Sequence, residues 1–249
     1  DGTVTTAKVP TTDDQSEGVL AGIETACEAA GVDPAEVEAF RHATTASVNA
    51  LLEDAGATTA LVTTEGFADV LAIGRQDRPD LYDLSAERPD PLVPRERRYT
   101  VDERATTEGI QRHVDADEVA EIADSLDGTG VESVAVSLLH AYAHPENERR
   151  VAGMLRERLD CPVAASHEGL GEFREYERTA TTVADAYVTP VVDDYLRRLE
   201  AGARERGLPA PRVMQANGGI ADAATVRDHA VTTVLSGPAA GVVGAALFE

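Results

Sequence analysis

An α/β fold on a largely parallel sheet is what this 249-residue sequence predicts. Three observations carry that prediction. Segments with strand and helix patterns alternate along the chain, the order expected of βαβ units. "TTALVTTEGF" is a buried-type strand, the kind a sheet covered on both faces requires. Neither a repeat nor a low-complexity linker interrupts the chain, so it reads as one continuous unit.

The elements follow in order. "GTVTTAKVP" is β-rich and reads as a turn plus a strand, the second half of a hairpin. "DDQSEGVLAGIETACEAAG" spaces its apolar residues for a helix and ends on Gly31, a C-cap residue type. "FRHATTASVNALLEDAG" starts extended and becomes helical, and "FADVLAIGR" gives a helix after the buried strand. From Gln76 to about Val114 the chain is rich in Pro, Arg and Asp and reads as a loop-rich insertion. "DADEVAEIADSLDGTG" is an amphipathic acidic helix, "VESVAVSLLHAY" a strand, "HPENERRVAGMLRERLD" a helix and "PVAASHEG" a short strand. A long helix follows, with a break expected near Pro190. "PRVMQANGG" is a strand ending in a double-glycine turn.

The formal net charge is −23, and Lys8 is the sole lysine. Acidic residues are spread along the chain instead of forming one block. The acidity reads either as a partner-binding surface or as a solvent adaptation; the spread favours the second and resembles the charge of proteins from salt-loving microbes, where about 1 M salt shortens the Debye length to about 3 Å. It also argues against a nucleic-acid partner, whose phosphates such a chain repels. Hydrophobic residues make up 43% of a chain long enough to bury a core, so the class is globular. Cys27 and Cys161 follow no metal-ligand spacing and fit a reducing, cytoplasmic setting, with Cys27 read as a core thiol. No apolar run is long enough for a membrane span, and no signal peptide is recognisable.

Three stretches could carry chemistry. In "HATTASVNALLE" a strand ends at His42, and Thr44, Thr45 and Ser47 cluster at a helix start. Hydroxyls and N–H groups there either hold an anion or polar substrate or serve as plain helix caps. In "MQANGGI", Gly218 and Gly219 permit positive φ, for a tight turn or for close approach of a ligand. In "LSGPAAGVVGA", Ser236 stands as a cap with Pro238 in the first turn, and the small residues Ala239, Ala240, Gly241 and Gly244 allow close packing. The Lys-Ser/Thr that closes a P-loop is missing. His140 and His144, four apart, straddle a strand end before Pro145, a poor arrangement for a metal, and no metal ligands are assigned. "FREYERT" reads as a solvated helix face with ion pairs, from which Arg174 or Arg178 could reach an anion.

Together these stretches resemble the hydantoinase A/5-oxoprolinase family. The family's run is close to His-Gly-Thr-Thr, a spacer and Asn-Ala-Leu-Leu-Glu, then a Thr-Thr-x-Gly-Phe strand end and a Gly-Arg-Gln segment. Here these are His42 to Glu53, Thr63 to Phe67 and Gly74 to Gln76. "SVAVSLLHAYAHPENE", "SHEGLGEFREYERTATTVADAYVTP", "MQANGG" and "LSGPAAGVVGA" follow in the family's order, so the likeness covers essentially the whole chain. Two departures stand out: Ala43 replaces the usual Gly after the histidine, and His144 stands where Asn is more frequent.

The resemblance implies an actin-like ATPase built from RNase H-like domains that clasp ATP and a divalent cation, Mg²⁺, between them. It implies ring opening of a cyclic amide, a hydantoin or 5-oxoproline, through phosphorylation of the substrate carbonyl oxygen, and a hydantoinase B-type partner subunit. Residues 1–200 would be the N-terminal region of the family and 201–249 the start of its core region. His42, Thr44, Thr45 and Asn49 would face the substrate or phosphate. Gly218 and Gly219 would shape the cleft floor, and Ser236, Gly237 and Gly241 the hinge beside the nucleotide. In the family one phosphate loop precedes the stretch matched here and another follows it. The expectation is therefore an incomplete actin-like domain that by itself releases no phosphate from ATP. Two other readings remain open: a subunit of an acetone or acetophenone carboxylase-like ligase, and a non-catalytic remnant that binds a partner.

Overall fold

The computed structural model describes residues 3–77, 79–83 and 85–245. Asp1, Gly2, Arg78, Leu84 and residues 246–249 lie outside that description, so the quoted opening and the "RQDRPDLYDL" stretch are each covered in part. In chain order the elements are α1 (Gln15–Ala30), β1 (Arg41–His42), α2 (Ala46–Leu52), β2 (Thr59–Thr64), α3 (Val70–Ile73), β3 (Arg98–Val101), β4 (Arg104–Thr106), β5 (Gly109–Arg112) and α4 (Ala116–Leu126). Then come β6 (Ser133–Ser137), α5 (Glu146–Arg158), β7 (Val163–Ala165), α6 (Ser166–Gly169), α7 (Glu175–Glu205), β8 (Arg212–Met214), β9 (Ile220–Asp222), α8 (Ala223–Asp228) and α9 (Ser236–Ala245).

The α/β class is as expected, but the chain forms two compact units where one was expected. The first holds residues 1–55 and 191–249, and the second residues 56–190. No linker composition marks the boundary, because the chain passes from the second unit to the first inside α7.

The second unit is a parallel sheet in the order β3-β2-β6-β7. All six residues of β2 are buried, since both faces of the sheet are covered. Ala60, Val62, Val134 and Val136 pack on Val119 and Ile122 of α4 and on Val151 and Leu155 of α5. Leu61 and Ala135 meet Leu71 of α3 and Val183 and Ala186 of α7 on the opposite face. Chain order places β3 on one side of β2 and β6 on the other, so the winding reverses between β2 and β6. Crevices outside the carboxyl ends of strands at such a reversal are where open α/β sheets bind ligands.

In the first unit β8 runs parallel to β1 and antiparallel to β9. Asp14 caps α1 by accepting from the Ser16 N–H at 2.9 Å, and Gly31, at φ 67°, closes it as expected. Leu20, Phe40, Leu196, Leu199 and Val213 are buried in this unit.

Four expectations need correction. Residues 3–12 form no strand: β-branched propensity needs a ladder, and no described strand pairs with them. The irregular part of the insertion is shorter than 76–114, because Arg98–Val101 pairs with β2 and 104–112 forms a hairpin. The polar side chains of Tyr99 and Thr100 hide that strand from a hydropathy reading. α7 continues through Pro190 without a break. Proline removes the N–H that Ala186 would otherwise receive, and the neighbouring Tyr187 carbonyl accepts the Ala57 N–H at 2.9 Å. Arg178 of "FREYERT" is fully buried instead of solvated.

Candidate functional site

The residues singled out in three separate stretches of sequence all lie in the first unit. β1 ends at His42, the chain turns through Thr44 and Thr45, and α2 begins. The turn is capped one residue earlier than the helix boundary suggests. Thr45, the N-cap residue, makes no side-chain cap bond, while the buried Thr44 hydroxyl accepts the Ala46 N–H at 3.1 Å.

His42 is half-buried between Phe40 and Tyr195, with ring centroids 6.0 and 5.8 Å away. Tyr195, on α7, places its hydroxyl 2.6 Å from His42 Nε2. Burial lowers the imidazole pKa to about 4, so the ring is neutral at physiological pH. Burial also raises the Tyr195 phenol to about 12, with a hydrogen bond from the Thr44 hydroxyl acting in the opposite sense. The Ala46 N–H donates to the Thr44 hydroxyl, and the Tyr195 hydroxyl and His42 Nε2 share one hydrogen bond, whose donor is set by the imidazole tautomer. A histidine held this way orients its neighbours; its basicity is far below that of a base matched to pH 7.

The helix α9 is tied to the same turn. The Ser236 hydroxyl, fully buried, donates to the Thr44 carbonyl at 3.0 Å. The buried Thr233 hydroxyl donates to Ser47 Oγ at 2.9 Å. Two stretches separated by almost two hundred residues are thus joined through hydroxyls. Thr45 is exposed and Asn49 half-buried; the Asn49 N–H closes on the Thr45 carbonyl at 2.8 Å.

The double glycine forms the β8–β9 turn. Gly218 sits at φ 83° and donates to the Gln215 carbonyl at 3.0 Å, and a Cβ there would come 3.6 Å from Val243 of α9. The turn and α9 are therefore neighbours. Gly219 donates to Asn217 Oδ1 at 2.8 Å. Close packing is not the use of Gly241 and Gly244: a Cβ on either would meet nothing within 4 Å. They leave one face of α9 open, beside the exposed Val242.

The sequence reading missed Tyr195. In "DDYLRRLE" it sits on the same helical face as Leu199 and reads as a core aromatic; the pairing with a histidine 153 positions earlier leaves no local signal. The donor set here is hydroxyls, one carboxamide and glycine N–H groups. These suit the oxygens of an anion or a polar substrate. A divalent cation takes carboxylate oxygens, and no group of three or more His, Cys, Asp or Glu among the described residues is placed to hold one. The residues thus do not fit a resident Mg²⁺, and no chemical step is drawn through it.

The fold is an α/β fold of the actin-like class. The chain belongs to the hydantoinase/oxoprolinase family: residues 1–159 match the family's "Hydantoinase/oxoprolinase N-terminal region" and residues 178–249 its "Hydantoinase/oxoprolinase" region. Caprolactamase subunit alpha of Pseudomonas jessenii is 34% identical over 250 residues, 96% of this chain and 36% of that protein. The crystal structure of the ATP-dependent caprolactamase from that organism superposes with a TM-score of 0.84 at 31% identity, over 98% of this chain and 37% of that one. The 5-oxoprolinase of Saccharomyces cerevisiae is 31% identical over 241 residues, 86% of this chain and 18% of that protein. A nucleotide-free acetone carboxylase superposes with a TM-score of 0.83 at 28% identity, over 96% of this chain and 36% of that one. The chain thus spans little more than a third of the caprolactamase subunit, and less of the 5-oxoprolinase.

Proposed function

We propose that this chain is part of an ATP-dependent enzyme that opens cyclic amides, with the substrate carbonyl oxygen phosphorylated to make its carbon electrophilic. The observation that carries this reading is the match to caprolactamase subunit alpha across 96% of the chain, together with family membership over both matched regions. ATP is the co-substrate in this reading, and Mg²⁺ enters on the nucleotide's phosphates. The partner is a hydantoinase B-type subunit. Thr45, Asn49 and the Gly218–Gly219 turn face the polar reactants, while His42, Thr44 and Ser236 hold the turn and α9 in register. Positioning and charge neutralisation supply most of the rate in phosphoryl transfer.

The test uses the full-length gene product with its partner subunit. Phosphate release from ATP should rise when hydantoin or ε-caprolactam is added. Stimulation by acetone and bicarbonate alone would favour the carboxylase reading, which the acetone carboxylase superposition supports. No stimulation by either would leave the partner-binding reading. Asn49→Ala in that protein should lower kcat/KM about 10–100-fold with the thermal midpoint unchanged, since the side chain is half-buried and bonded only weakly, to Thr45 Oγ1 at 3.5 Å. Unaltered kinetics would remove Asn49 from the site.

We also propose that the charge of −23 is an adaptation to a salt-rich cytoplasm. Self-repulsion among carboxylates destabilises the compact state until salt screens it. The thermal midpoint of this chain should climb by several degrees between about 0.1 and 3 M KCl. A flat midpoint would count against the adaptation.

A further inference from the structure

Large apolar side chains stand in water on the irregular segment that follows α3. Ile73 is 49% exposed, Leu81 72% and Tyr82 96%. Single apolar side chains scattered over a surface need no explanation. An adjacent Leu-Tyr pair almost wholly in water is different here, because the chain around it is built to hold it there. Asp80 Oδ1 accepts the Tyr82 N–H at 2.8 Å and the Asp83 N–H at 3.3 Å. Asp83 Oδ1 accepts the Ser85 N–H at 2.9 Å and the Ser85 hydroxyl at 2.6 Å. Two successive Asx turns thus fix backbone that belongs to no helix or strand.

The base of the projection is fastened as well. Arg88 donates to the Ile73 and Asp77 carbonyls and pairs with the Asp77 carboxylate at 3.3 Å. Arg75 Nε bonds Glu177 of α7 at 2.7 Å. Gly74, at φ 55°, makes room for the clamp, because a Cβ there would stand 2.8 Å from Arg88 Nη1. Behind the segment lies a cavity of about 600 Å³, lined by Pro79 and Pro89 and by Tyr176 and Val183 of α7. The clamp, and not a packed core, therefore sets where Leu81 and Tyr82 stand.

We propose that Leu81 and Tyr82 anchor a separate protein subunit by entering an apolar pocket that is rimmed with arginine or lysine. That this subunit is the hydantoinase B-type partner rests on the function proposed above. Tyrosine is enriched among the residues that carry most of the energy of an interface. Backbone fixed in advance lowers the cost of ordering it on binding. Charge sets the class of partner. Residues 77–90 hold five carboxylates and two arginines, and Arg88 is taken up by the clamp. A second copy of this chain would bring the same negative excess to the contact, so two copies repel where a cationic rim attracts. One tyrosine buries about 150–250 Å² of the roughly 800 Å² that each partner contributes to a stable interface. The pair is thus an anchor within a wider contact.

The test uses the full-length gene product with and without its partner subunit. Hydroxyl-radical footprinting read by mass spectrometry reports on Tyr82 in the unaltered protein. Tyr82 should be oxidised readily in the subunit alone and be protected once the partner is added. Leu81→Ser with Tyr82→Ser should weaken the complex about tenfold or more, through faster dissociation and with the thermal midpoint unchanged. Asp80→Asn with Asp83→Asn keeps the acceptors of both turns and removes their charges. It should slow association about threefold or more and flatten its dependence on KCl, with dissociation unchanged. Protection of Tyr82 in the subunit alone would overturn the proposal: protection that fades on dilution means a second copy covers the pair, and protection that does not means the subunit's own polypeptide does. A Tyr82 equally reactive in the complex, or unchanged dissociation after the serine pair, would also overturn it while the partner reading stands. Association unaltered by the asparagine pair would overturn the cationic rim. If the unaltered proteins form no complex, the partner reading falls and this docking surface falls with it.

Discussion

Arg178→Met should cost the second unit about 3–5 kcal/mol, the largest stability loss expected of any single change in this chain. Arg178 and Glu148 are both fully buried and stand 3.8 Å apart at their nearest charged atoms. Glu148 accepts from the Leu138 N–H at 2.7 Å, from Ser166 Oγ at 2.8 Å, and from the His167 N–H at 2.8 Å, with His167 Nδ1 at 2.7 Å. Arg178 donates to Ser166 Oγ, to the Leu138 carbonyl and to Glu175. This network fastens α5, α6 and α7 to the end of β6. Removing the guanidinium takes the Arg178 cation away from the fully buried Glu148, and more of its desolvation penalty then stands uncompensated. Urea unfolding of the chain measures the loss. The double change Arg178→Met with Glu148→Gln should cost clearly less than the sum of the two single changes, because each single change strands the other partner. A loss under about 1 kcal/mol for Arg178→Met, or simple additivity, would show that the pair is not the anchor its geometry implies.

Arg178 also shows where reading the sequence stops. Periodicity made α1, α4 and α5 legible, since their apolar spacing is local, and Gly31 marked its own helix end. β2 was legible because both its faces are covered and every residue is buried. By contrast, "FREYERT" carries four charged residues among seven, and its composition resembles a solvated face. Only the three-dimensional partners, Glu148 on α5 and the Leu138 carbonyl beyond β6, make Arg178 a core residue. β3 was hidden for a related reason: "RYTV" begins on a charged residue, has a polar middle and a single aliphatic residue, and its strand identity comes from pairing with β2. The candidate site was half legible. Hydroxyls and glycines at element ends pointed to His42, Thr44, Gly218 and Ser236, and the fold brings the first two and Ser236 into one bonded cluster. Tyr195 was not legible, because a core tyrosine and a histidine's partner have the same sequence signature.

The second large effect is on pH dependence, and it also tests the role of His42. The folded pKa of His42 is lowered to about 4, against an ordinary value of 6.5. The unfolded chain therefore takes up this proton more readily than the folded one. Stability from the neutral ring is fully present above about pH 6.5 and is lost as pH falls toward 4, by about 2 kcal/mol at pH 5 and about 3 kcal/mol at pH 4. His42→Gln removes the titration while keeping an acceptor oxygen for the Tyr195 hydroxyl. The other histidines and the carboxylates titrate alike in both proteins, so the difference between the two curves isolates His42. Unfolding free energies measured from pH 7.5 to 4.5, in about 2 M KCl to screen the carboxylates, should diverge below pH 6.5, with the wild type falling faster. Parallel curves would mean that His42 charges freely in the folded state and that the Tyr195 contact does not hold it neutral. The same result bears on mechanism. A ring that stays neutral down to about pH 4 cannot be the origin of a turnover pKa near 6.5. If the full-length enzyme shows such a pKa and His42→Gln abolishes it, the histidine must reach a protonated state in the working enzyme, and its assignment as a fixed positioning group fails.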